Sequence, residues 1–113
     1  MPSGTTDCGT YVLTQRGDPQ HPGDDRVPDS ALSCFLDAVR AKSPAVLTVS
    51  LPTVEGDPIH YTYLSDVQGS VQVTEDTRED RYGPRAIYHM TCTGPSADNG
   101  RLSFVQCSTP VAA

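Results

Sequence analysis

Three histidines, His21, His60 and His89, are the side chains best suited to metal binding or to proton transfer near neutral pH. A zinc site would want two of them on one face, joined by a carboxylate or thiolate. His60 and His89 fall on neighbouring or near-neighbouring predicted strands, and their parity does not establish a common face; His21 sits in a proline-rich loop. Surface or hydrogen-bonded histidines are therefore expected. Asp24-Asp25, and separately Glu75-Asp76 with Glu79-Asp80, could gather a hard cation. The regular oxygen spacing around a glycine bend is missing, and Arg78 and Arg81 offset the second group. No Gly-X-Ser-X-Gly occurs, no Ser/His/Asp arrangement can be assembled, and so small a sheet offers little depth for paired carboxylates. These residues point to no catalytic, metal or cofactor site, and the expectation is a protein that is not an enzyme.

Tyrosines are the better lead. Tyr61, Tyr63, Tyr82 and Tyr88 combine large contact area with a polar tip at low entropic cost, as recognition surfaces do. On alternating strands one face must be core, so Tyr61 and Tyr63 are expected to pack inward. Tyr82 and Tyr88 remain as the candidate contact surface.

Cys8, Cys34, Cys92 and Cys107 form an early pair and a late pair without CxxC-like or Cys/His spacing. An even count in a small domain points to two disulfides and an oxidising compartment, and leaves no thiol nucleophile.

The elements that must position these groups are readable. Residues 1–7 are small and polar and read as a disordered lead or tether remnant. Tyr11 to Leu13 is a short strand, and Arg16 to Pro28 is broken by three prolines and two glycines. A helix is expected from about Asp29 to Lys42, capped by Asp29 or Ser30, with Leu32, Phe35, Val39, Ala31 and Ala38 on its apolar face. Cys34 lies beside that face, placed to pin the helix to Cys8. Period-two alternation then marks strands around Leu47–Leu51, Ile59–Tyr63 and Val71–Val73. Turns separate them at Glu55–Pro58 and Asp66–Gly69, and the charged run Glu75–Arg81 reads as exposed loop or strand end. Ala86–Cys92 and Leu102–Cys107 close the chain as a hairpin turning at Asn99-Gly100. A two-residue turn there opposes residues whose numbers sum to 199, among them Cys92 and Cys107. Gly94-Pro95 could interrupt that ladder. Of three connectivities, Cys8–Cys34 with Cys92–Cys107 is chosen.

The expected fold is α+β: one helix packed on a four- to five-stranded antiparallel β-meander with two disulfides. The expected organisation is a single stapled domain over 8–110 with a short tail at 111–113.

A formal charge of −6 and a pI near 4.7 disfavour nucleic acid and anionic membrane surfaces as partners. No run of eighteen apolar residues spans a membrane, and Met1 to Thr6 has neither the basic start nor the apolar stretch of a signal peptide. The expectation is the mature form of an exported domain.

Cys8-Gly9-Thr10, then Pro28-Asp29-Ser30-Ala31 leading to Cys34-Phe35, then Thr53-Val54-Glu55-Gly56-Asp57-Pro58-Ile59, resemble small exported lipoprotein domains of unknown function from high-GC Gram-positive bacteria. The resemblance runs from Cys8 to Cys107. It implies a surface-anchored domain and agrees with the disulfides, and it supplies no catalytic residue. The function expected is thus a non-enzymatic extracellular or cell-envelope domain, the soluble part of a lipoprotein, contacting a protein of the envelope. Two alternatives stand beside it: a secreted protease inhibitor presenting residues 94–100, and a small metal-binding protein or enzyme using His60, His89 and the acidic loop.

Overall fold

The computed structural model describes residues 5–14, 26–52, 57–79, 85–98, 100–112. Strand β1 (Thr6–Val12) leads to helix α1 (Asp29–Arg40) and strand β2 (Ala45–Pro52). Then come β3 (Pro58–Ser65), β4 (Val71–Asp76), β5 (Ile87–Asp98), β6 (Arg101–Cys107) and the two-residue β7 (Val111–Ala112). All seven strands join one curled sheet in the order β1 to β6, with β7 paired to β5.

This corrects the expected architecture. The described residues are mostly β, 57% strand, and the sheet has seven strands rather than four or five. Nor is it wholly antiparallel. β1 runs parallel to β2, with α1 as the crossover between them, while β2 through β6 are sequential antiparallel neighbours. A parallel pair requires a crossover, and a helix is the usual one. β6 and β7 both pair along β5: β6 runs beside Cys92–Asp98, and β7 lies opposite Tyr88 and His89. Ser108 bridges them by donating its amide to the Thr91 carbonyl at 2.8 Å.

The helix forms because Ala31, Leu32, Phe35 and Val39 recur every three or four residues and are all buried. Its N-cap is Pro28, without a side-chain cap; Asp29 and Ser30 are already helical, which corrects the expected cap. Pro28 instead supplies its carbonyl to the amides of Ala31 and Leu32. The C-terminus closes as a Schellman turn. Lys42 adopts φ 54°, and Ser43 and Lys42 donate back to the carbonyls of Ala38 and Val39.

The helix lies on the concave face of the sheet, over Ala45, Leu47, Val49, Tyr63, Val71, Val73 and Cys92. Cross-strand register sets these residues in rows, such as Leu47–Tyr63–Val73–Met90. Phe35, fully buried, meets the Tyr63 ring edge-on at 6.3 Å. Both disulfides lie at this core, Cys8–Cys34 tying β1 to α1 and Cys92–Cys107 tying β5 to β6. Such bridges fit a secreted or otherwise oxidising environment.

Gly94 reshapes the last hairpin. Cys107 and Phe104 are three positions apart, so plain alternation would put them on opposite faces. Both nevertheless touch the core side, and Val105 between them is 86% exposed. Gly94, at φ +66°, sits beside Val105 and permits the change of face. The distal hairpin therefore bends over the core, where Phe104 lies 5.9 Å from Tyr63, centre to centre. Its tip is fastened ahead of the helix, Val27 donating to the Gly100 carbonyl at 2.8 Å.

Candidate functional site

α1 covers only part of the concave face. The remainder is an open cleft of about 260 Å³, floored by Leu51, Tyr61, Tyr63, Val73, Glu75 and Met90. Leu102 and Phe104 of the bent hairpin, with Cys92 and Cys107, complete its wall. Alternation along β2, β3, β4 and β5 brings these residues to one face. Register then sets Val49 opposite Tyr61, and Tyr61 opposite Glu75.

Tyr61 and Tyr63 stack with their rings nearly parallel, 8° apart, at 6.1 Å. Burial holds both phenols neutral. It pushes Tyr63 up to about 12, with the Glu75 charge adding to the effect and Arg101 opposing it. Burial also raises Tyr61, helped by the hydrogen bond between its hydroxyl and Glu75. The Tyr61 hydroxyl donates and the Glu75 carboxylate accepts. The cleft is therefore apolar and aromatic, with one carboxylate held at a defined point. Arg101 lines a smaller recess of about 60 Å³ next to it, shared with Val27 and Val49.

The convex face carries a second polar group. Ser50 and His60 are directly opposed on β2 and β3, and the Ser50 hydroxyl lies 2.6 Å from His60 Nδ1. His60 Nε2 pairs with the Glu79 carboxylate. With Nε2–H donating to Glu79, Nδ1 accepts from Ser50. Sequence reasoning missed this trio, which only the β2–β3 register could have revealed. Its residue types match an acyl-transfer relay, but the order is inverted. In such a relay the carboxylate holds Nδ1 and the hydroxyl faces Nε2. Ser50 is moreover only 4% exposed, so its oxygen cannot meet a substrate. The chain braces β2, β3 and the turn after β4 against one another.

The acidic run is dispersed by alternation. Glu75 enters the cleft, while Asp76, opposite His60, faces the convex side. The Arg78 guanidinium grips Asp76 with two bonds of 3.0 and 2.8 Å and the Arg78 amide adds a third, holding that carboxyl down to about 2. His89 shares the convex face, where Thr74 lies 3.4 Å from its Nε2. Among the described residues no three His, Cys, Asp or Glu side chains gather as a metal site. His21, Asp24, Asp25, Asp80, Arg81 and Tyr82 lie outside the described residues.

Tyr88 is half-buried, opposite Glu75 on one side and Ala112 on the other. On β6 and β7, Val105 and Val111 are exposed by 86% and 63%. Val111 lies opposite His89 and Val105 beside Gly94, five residues apart along β5, so they are separate exposed valines on the side of that strand away from β4. Of the segment 94–100, residues 94–98 are strand and the Gly100 carbonyl is bonded to Val27, while Asn99 lies outside the described residues. Among the described residues no helix is long and apolar enough to cross a membrane. Compared with known proteins, the chain matches no family model, no curated protein and no solved structure.

Proposed function

We propose that this is a non-enzymatic binding domain of the cell envelope or extracellular space, the soluble part of a lipoprotein, that acts by contact with a partner protein. The observation that carries this reading is Val105, 86% exposed on the edge strand β6 of a sheet stapled by two disulfides. An edge strand bearing an exposed valine is a surface that proteins ordinarily blunt or cover with a partner.

The test is site-specific photocrosslinking in an envelope fraction, with the crosslinker at Val105 or, as a control, at the exposed helix position Asp37. Adducts to one protein from Val105 alone, lost when the disulfides are reduced, support the reading. Equal labelling from both positions, or none from Val105, overturns it.

A further inference from the structure

We infer that the concave cleft is a binding site for a small organic cation, a substituted ammonium group. This goes beyond the contact reading above and does not depend on it, since Val105 does not line the cleft. The argument rests on charge complementarity. Among the described residues the lining includes one acid, Glu75, and no base; the nearby Arg101 lines the adjoining recess instead. A neutral apolar ligand entering the cleft would strip water from the Glu75 carboxylate and leave it without a counter-charge, which is costly. An anion would meet the same carboxylate and be repelled. A cation with apolar substituents satisfies both the carboxylate and the walls of Leu51, Val73 and Leu102.

The aromatic residues favour the same ligand. Tyr61, Tyr63 and Phe104 line one cleft, and electron-rich ring faces attract a diffuse positive charge. The Tyr61 hydroxyl fixes Glu75 by one hydrogen bond, and the carboxylate keeps further lone pairs for a ligand. At about 260 Å³ the space is smaller than a drug-sized site, so it suits a head group rather than an extended molecule.

The test compares choline with its neutral isostere 3,3-dimethylbutan-1-ol, which replaces the charged nitrogen by carbon. Both are titrated into the oxidised, ¹⁵N-labelled protein and followed by amide chemical shifts. Choline is expected to give saturable shifts at Tyr61, Tyr63, Val73, Glu75 and Met90, with the isostere weaker by about tenfold or more. Glu75→Gln should abolish the preference. Tyr61→Phe, which keeps both ring and carboxylate, should weaken choline by only a few-fold. Should Glu75→Gln not fold, the comparison of the two probes on the unaltered protein still decides. Equal binding of both probes would make the cleft merely apolar and overturn the inference. Shifts confined to residues outside the cleft, or no saturation with choline, would also overturn it.

Discussion

Tyr63 stands between Phe35 and Phe104 with its ring in the core and its phenol beside Glu75, and this arrangement ties stability to alkaline pH. Its folded pKa is about 12, against 10 for an ordinary tyrosine. The folded state keeps its proton where the unfolded chain has lost it. The stabilisation is complete below pH 10 and falls as pH rises toward 12, by about 1.4 kcal/mol per pH unit for this one group. Tyr63→Phe should flatten that decline, as measured by urea unfolding between pH 9 and 11. Equal slopes in variant and parent would refute the assignment. At this scale the sequence showed half of the cleft. The spacing of Tyr61 and Tyr63 marks an inward face of one strand, as found. Glu75 reads from the sequence only as exposed loop or strand end, because its place in the cleft depends on pairing with Tyr61 across β3 and β4. Cross-strand pairing leaves no local pattern.

At the scale of elements, Gly94 separates the two halves of the last hairpin. A Cβ there would lie 2.6 Å from Val105 Cγ2, on a backbone already at φ +66°. Gly94→Ala should cost about 2 kcal/mol or more from backbone strain and contact together, read by thermal or urea unfolding. Adding Val105→Ala should recover only a fraction of the contact part, because the Val105 Cβ that alanine keeps lies 2.8 Å from the added Cβ. Gly69→Ala is the control: its φ is +85°, but the nearest atom is Lys42 Cγ at 3.7 Å, so it should cost less. A Gly94 variant no worse than the Gly69 variant would show that the bend does not depend on this residue. The same hairpin displays what local chemistry can specify. Asn99-Gly100 predicts a register summing to 199, and every β5–β6 pair obeys it, Cys92 with Cys107 included. The helix was legible from its apolar period. β1 was read as three residues because Gly9 and a register shift between Asp7 and Thr10 break its alternation. Its parallel pairing is a long-range choice that no turn announces. β7, only two residues long, is too short to carry a pattern.

Across the whole molecule, the two bridges staple opposite ends of the sheet. Each closes a substantial loop, with sequence separations of 26 and 15 residues. Replacing either pair by alanine should lower stability by about 3 kcal/mol, somewhat more for Cys8–Cys34 because its loop is longer. Urea unfolding of the two double variants checks both magnitude and order. Unchanged midpoints would mean that packing alone holds the fold. The connectivity has a mechanical consequence as well. A pull on the two ends of the oxidised chain enters at β1, meets Cys8, and passes through sulfur to Cys34, bypassing everything between them. It leaves by the corresponding shortcut from Cys92 to Cys107. Residues 9–33 and 93–106 carry no tension, so roughly a third of the chain cannot be paid out by force until a reductant cuts the bridges. Single-molecule extension should lengthen by about 3.5 Å for each residue so released.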